Sequence, residues 1–196
     1  HLCDRRQRQM CIETEYILKQ GQFYTGFRNS VIYAALSTIF TLLFTSLAAY
    51  PLAIKDFVFK KAFTIFLTIT MFIGGGMIPT YLLYRDLHMI NTIWVMTVPG
   101  CVGAYTVFVF RTFFQGLPGD LRESAFIDGA NDLYICFKIT LPLSKPLLAT
   151  YALFTIVGSW NSWFNALLYL QDEARYPIQM FLRKMVVDGN ISSMYQ

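Results

Sequence analysis

Residues 29–54 read NSVIYAALSTIFTLLFTSLAAYPLAI, a run without a single charged side chain, bracketed by Arg28 and Lys55. About 20 apolar residues cross the hydrocarbon layer of a bilayer, whereas a run of roughly 10–14 is as easily a buried core helix. The length of this run makes it a membrane-spanning helix and sets the frame for the rest of the chain.

Three further runs pass the same test. AFTIFLTITMFIGGGMIPTYLLY, residues 62–84, lies between Lys61 and Arg85, and its Gly74-Gly75-Gly76 triplet and Pro79 predict a bend. Residues 89–110 hold Pro99, Gly100 and Gly103 near their middle, breakers that a packed bundle in lipid tolerates. Residues 147–170 end in a cluster of aromatic and asparagine side chains. The 196-residue chain is 55% hydrophobic and only 14% charged, where soluble domains carry about 25% charge, and its mean hydropathy is +0.44. An all-α membrane protein with four spans follows. None of the runs has the short apolar core of a cleavable signal.

The formal net charge of +4 comes from basic residues at span ends and in loops, which gives no reason to expect nucleic acid. Lys and Arg divide almost evenly between the two sides, so charge alone does not orient the chain. Cys3, Cys11, Cys101 and Cys136 form no CxxC pair, so neither a metal site nor a disulfide framework is expected.

Between the third and fourth runs, residues 111–146 form a connection far longer than the usual 2–8 or so residues joining helices of a bundle. Inside it, Asp120 followed by Glu123 predicts a helix over about Leu121–Asp128, with Asp120 as N-cap and Gly129 as its left-handed stop. A second short helix is predicted from Asn131, its cap, to Ile139, with Leu133, Phe137 and Ile139 near one apolar side and Pro142 ending it. Ser144 and Pro146 can open the fourth span. Two short helices meeting at a glycine elbow make a rigid knob. Small residues at Ser124 and Ala125 would let a partner approach, and Glu123, Asp128 and Asp132 offer charge.

The stretch ESAFIDGANDLYICFKITLP, residues 123–142, resembles the signature of the permease subunits of bacterial ABC importers: E-A-A, three residues, G, nine residues, I-x-L-P. Glu123, Ala125, Gly129, Ile139, Leu141 and Pro142 stand at its positions, and Ser124 replaces one small residue by another. AAYPLA, GGGMIPTYLL, LPLSKPLLAT, WNSWFNALLYL and YPIQMFLRK are similar to the carbohydrate-uptake branch of that family, most narrowly to the complex-saccharide permeases of Gram-positive bacteria. The likeness runs from about Glu15 to Arg183.

The resemblance implies a type I ABC importer permease bundle, usually of six spans, so the four visible here read as a fragment. Residues 1–27 would be a polar lead-in, an outward-facing loop or an aberrant start, and residues 28–196 the transmembrane domain. It implies a multi-pass protein of the bacterial cell membrane whose 111–146 loop faces the cytoplasm. That loop would carry the coupling helix, which sits in a groove of a separate ATP-binding subunit, with Glu123, Ser124, Ala125, Asp128, Gly129, Ile139, Leu141 and Pro142 as contact or positioning residues. A second permease subunit and an extracellular solute-binding protein complete the implied assembly, with lipid around the spans. No cofactor and no catalytic residue are expected, since ATP would be hydrolysed by the partner.

The residues agree with that division of labour. No G-x-x-x-x-G-K-[ST] occurs, and the glycine triplet runs into Met77-Ile78-Pro79 with no lysine for a phosphate, so close packing or a bend explains it better. Trp160, Asn161, Trp163 and Asn165 are candidates for a sugar pathway, because aromatic faces stack on sugar C–H patches and amides bond hydroxyls. Asn161 and Asn165 are four apart, on one helix face. Interfacial anchoring by the tryptophans and interhelical bonding by the asparagines remain the competing reading. His88 is expected to be solvated. A secondary transporter would need ionisable groups inside its spans, and these runs have none. A membrane scaffold or a non-functional fragment leaves the signature unexplained except as ancestry.

Overall fold

The first apolar run becomes one helix, α1, Gly21–Ala53, of 33 residues. The computed structural model describes residues 21–54 and 56–185, and the regular elements among them are helical. At about 1.5 Å per residue α1 is about 50 Å long, more than the roughly 30 Å hydrocarbon layer. It begins ahead of Asn29, so residues 21–27 of the expected lead-in are helical. Nothing in GQFYTGFR breaks a helix, and this first part packs against the chain's later segment. Residues 1–20 of the expected lead-in lie outside the described residues.

The other runs are broken where glycine and proline stand. The second forms α2, Lys60–Phe72, and α3, Met77–Asp86, bent by 116° relative to each other. Gly76 closes the gap at φ +78, a conformation suited to glycine, and added Cβ atoms at Gly74 and Gly75 would meet nothing within 4 Å. Within the chain, therefore, the triplet bends the backbone and does not serve close packing. The third run forms α4, Ile93–Thr97, and α5, Ala104–Gln115. The fourth forms α9, Lys145–Trp160, and α10, Trp163–Tyr169.

Among the described residues, one helix is long and apolar enough to cross a membrane alone, or up to 3 if each bent pair is one span. The run lengths suggested four. An apolar run measures how much chain lipid could surround, but it does not keep the backbone ladder intact where Pro99 or a glycine interrupts it. Such breaks persist at membrane depth when neighbouring groups satisfy the freed carbonyls. Here α1 does so: Ser37 Oγ donates to Met96 O at 3.4 Å, and Thr45 Oγ1 donates to Cys101 O at 3.2 Å.

α1 is the axis of the fold. Its small and hydroxyl side chains, Ser30, Ser37, Thr38, Thr45, Ser46 and Ala49, are buried, as expected where helices approach closely without a hydrophobic driving force. Near its C-terminal end, Ala49 and Leu52 join Val107, Phe110, Ile135 and Cys136 in one cluster. Near its N-terminal half, Tyr33 joins Val95, Ala166, Tyr169 and Leu170 in another.

At that second end Asn29 Nδ2 donates to Ala174 O at 2.8 Å, Tyr33 Oη donates to Arg175 O at 2.8 Å, and Ser30 Oγ accepts from Ile178 N at 2.9 Å. Asn91, at φ +57, extends the clamp. Its amide oxygen accepts from the N–H groups of Gln171 and Asp172 at 3.3 and 3.2 Å, its N–H donates to Tyr169 O at 2.9 Å, and Arg175 donates to its carbonyl. Residues 178–185 then form a further helical segment.

Candidate functional site

The polar connection folds as two helices around a tight elbow. The first, α6, spans Gly119–Ile127. Pro118 takes the N-cap position at φ −56, so the helix starts ahead of the expected Asp120 cap, and no side chain caps it. Asp120 lies instead in the first turn, where the helix dipole still favours a carboxylate. The closure follows the expectation: Gly129 sits at φ +81, its N–H donates to Phe126 O at 3.1 Å, and Ala130 N–H donates to Ala125 O at 3.0 Å. These two bonds form a Schellman closure, which a left-handed glycine makes possible.

Asn131 caps the second helix, its side chain accepting from Tyr134 N at 2.8 Å. That helix runs through α7, Asp132–Ile135, a π-helical turn over Cys136–Thr140, and α8, Leu141–Leu143. Pro142 therefore does not end it. Proline lacks an N–H and crowds the carbonyl four residues back, here that of Lys138, and a widened turn ahead of it absorbs both defects. The break comes at Ser144, which is fully buried with Oγ donating to Thr140 O at 2.7 Å, and α9 leaves at 81°. The inward face is also not the expected one. Ile135 and Cys136 are buried and Ile139 packs on their cluster, while Leu133 and Phe137 are exposed. Positions two apart lie on opposite sides of a helix, so neither can share a face with Ile135.

The signature residues divide by exposure. Glu123, Ser124, Asp128, Gly129 and Pro142 are exposed, whereas Ala125, Ile139 and Leu141 are half-buried against the core. α6 buries none of its residues. Phe126 and Ile127, at the tip of the elbow, are 62% and 86% exposed. The sequence reading passed over them, although two large apolar residues in a polar stretch are a signal that a partner covers them.

Arg122 and Asp132 tie the two helices together, Nη2 to Oδ1 at 3.3 Å, and Tyr50 Oη at the end of α1 donates to the same Oδ1 at 3.4 Å. Burial works against the Arg122 charge, but the Asp132 carboxylate and the Tyr50 hydroxyl more than offset this and hold its pKa above the ordinary value.

The candidate sugar residues are not brought together on one helix face. The chain breaks at Asn161 and Ser162, between α9 and α10, and Asn161 turns its amide back to donate to Val157 O at 2.9 Å. Trp160 stands edge-on to Phe27 at 5.8 Å between centroids, and Trp163 is covered by the Arg183 guanidinium at 3.6 Å. Asn165 differs from these. It lines a cleft of about 240 Å³ with the hydroxyl-bearing residues Ser37, Thr41, Thr155, Ser159 and Ser162, beside the broken third run. Those hydroxyls went unnoticed in the sequence because serine and threonine are ordinary within apolar helices. His88 is exposed.

Comparison with known proteins bears on what this arrangement belongs to. Residues 23–196 match the family described as binding-protein-dependent transport system inner membrane component. The polygalacturonan/rhamnogalacturonan transport system permease protein YtcP of Bacillus subtilis (strain 168) is 38% identical over 184 residues, covering 91% of this chain and 64% of that protein. Protein LplC of the same strain is 36% identical over 179 residues, covering 91% of this chain and 61% of its own length. A solved bacterial ABC transporter involved in the import of the acidic polysaccharide alginate has a chain similar at a TM-score of 0.85 and 31% identity, over 89% of this chain and 62% of that one. The chain thus spans about three fifths of the length of these relatives.

Proposed function

Since the chain belongs to the family of binding-protein-dependent transport system inner membrane components, we propose that it is a permease subunit of an ATP-driven ABC importer for a sugar or oligosaccharide. It lies in the bacterial cell membrane as a multi-pass protein, and the unit over residues 28–196 forms part of the translocation pathway. The observation that carries this reading is the elbow: a helix with no buried residue, an acidic and small flank at Glu123, Ser124 and Asp128, and an exposed apolar tip at Phe126 and Ile127. An exposed apolar tip on an otherwise polar stretch favours a partner that covers it. A cytoplasmic ATP-binding subunit is that partner. It hydrolyses the ATP, and rigid-body displacement of the knob passes the change into the spans.

The segment over residues 171–178 sits at the Asn29 end of α1 and the knob at the Tyr50 end, so the first faces outward when the second faces the cytoplasm. A solute-binding protein delivers the sugar outside, and a second permease subunit completes the pathway. A saccharide as cargo is favoured by the names of the relatives, which include a melibiose/raffinose/stachyose import permease and arabinooligosaccharide permeases.

Glu123→Lys tests the docking assignment. In the assembled transporter it should weaken retention of the ATP-binding subunit by about tenfold, about 1.4 kcal/mol, read by co-purification at graded salt. Retention equal to the parent's removes Glu123 from the interface. The pathway is tested separately at the polar cleft: Asn165→Leu should lower sugar uptake about tenfold while the ATP-binding subunit stays bound, because a cleft that bonds hydroxyls is left without its amide. Unchanged uptake places the sugar elsewhere.

A further inference from the structure

No residue of α6 is fully buried and only Ala125 packs against the core cluster, so packing gives the knob a small grip on the bundle. Its polar connection to the long helix runs through the Asp132 carboxylate and a direct contact between the Arg122 and Tyr50 side chains. Asp132 Oδ1 receives Arg122 Nη2 from α6 at 3.3 Å and Tyr50 Oη from the last turns of α1 at 3.4 Å. Three elements thus meet at one atom: the knob, the helix that follows its elbow, and the axis of the fold. Tyr50 is 8% exposed, so its ring is fixed in the core while its hydroxyl reaches the joint. Beside the joint lies a cavity of about 230 Å³ lined in part by Tyr50, Gln115, Arg122 and Glu123. That space leaves α6 room to tilt against α1 once the polar tie is gone.

We propose that Tyr50, Arg122 and Asp132 form the joint that makes the knob and α1 move as one body, and that they are positioning residues for ATP-coupled import; this rests on the reading of the elbow as the ATPase-docking knob. A displacement is transmitted only through contacts that persist in both states. A helix fastened by this polar joint transmits motion along α1 while the joint holds all three side chains together. Without it, the knob follows the ATP-binding subunit and α1 stays behind.

The test uses the full-length permease in its assembled transporter, with nitroxide labels at Asp120→Cys in the first turn of the knob and Tyr24→Cys at the far end of α1, both exposed positions. The complex is measured without nucleotide and after trapping with ATP and orthovanadate. In the parent the distance between the labels should be the same in both states. In Asp132→Asn, Arg122→Met and Tyr50→Phe it should shift or broaden on trapping by about 2 Å or more, the scale of interface helix shifts. Arg122→Lys keeps the charge and should restore the parental distribution. Tyr50→Phe keeps the buried ring, so an effect there cannot come from lost packing.

Two outcomes overturn the joint: a parental distance that itself shifts on trapping, or variants that stay as narrow as the parent. Co-purification of the ATP-binding subunit, scored on the same samples, separates this from the underlying reading. Loss of that subunit from the parent knob on Glu123→Lys supports docking whatever the label distances show, and its full retention in both Glu123→Lys and Gly129→Val removes docking whatever the tie does.

Discussion

Gly129→Val should release the ATP-binding subunit, lowering its retention by more than about tenfold, while the rest of the chain stays folded. Gly129 sits at φ +81, where a β-branched residue is a genuine outlier. A left-handed backbone costs an ordinary residue about 1–2 kcal/mol. An added Cβ would meet nothing within 4 Å, so the cost is conformational and not a clash. The valine can relieve it only by leaving the left-handed region. That breaks the Gly129-to-Phe126 and Ala130-to-Ala125 bonds and re-aims α6 relative to α7. Because α6 buries nothing, the damage stays local and the core cluster around Phe110 and Ile135 is spared. Gly129→Asn is the matched control: asparagine enters the left-handed region far more readily, so its complex should survive. Co-purification of the two variants reads the difference, and equal retention would place the function of Gly129 outside its backbone angle.

That elbow was legible in the sequence because its causes are local. A glycine stop, an Asn131 cap and a polar stretch between apolar runs act over a few residues, and the structure places the elbow at Gly129 with Asn131 as cap. The long uncharged run over residues 29–54 was legible for the same reason, since nothing inside it opposes a helix until Pro51. The continuity of the other runs was not. Whether Pro99 or the glycine triplet bends or breaks a helix depends on which groups wait beside the freed carbonyls. Ser37 and Thr45 stand about 50 to 60 residues away from Met96 and Cys101 in the chain. Asn161 and Asn165 failed as a pair on one face for a related reason, because periodicity presumes the helix that the break at Ser162 removes. The Arg122–Asp132–Tyr50 joint also lay out of reach. Two of its members lie within the signature loop, but the third is 82 residues from Asp132 and reads in sequence as one more aromatic at the end of a span.

The opposite end of α1 sets the second large effect. Gly26→Leu should destabilise the chain by about 4–6 kcal/mol, the sum of overpacking at about 1–3 kcal/mol and about 1 kcal/mol for each of the three hydrogen bonds it strands. A Cβ at Gly26 would stand 3.3 Å from Ile178 Cα, 3.4 Å from Ile178 N and 3.6 Å from Pro177 C. All three are backbone atoms, and Pro177 and Ile178 are themselves buried, so no rotamer change relieves the contact. The 177–178 segment must lift away, and with it go the bond from Ile178 N to Ser30 Oγ and those from Asn29 and Tyr33 to the carbonyls of Ala174 and Arg175. Gly26→Ala needs a shift of only a few tenths of an ångström and should cost about 1 kcal/mol or less. Thermal unfolding in detergent measures both, and limited proteolysis after Arg175 should become faster in the leucine variant. Since Gly26 and Tyr50 lie 24 positions apart on one helix, about 36 Å at 1.5 Å per residue, the lesion should leave retention of the ATP-binding subunit at the parental level. A leucine variant that lost that subunit would mean the two ends of α1 are energetically one unit, and the elbow would then owe its geometry to the outer clamp as well as to its own glycine.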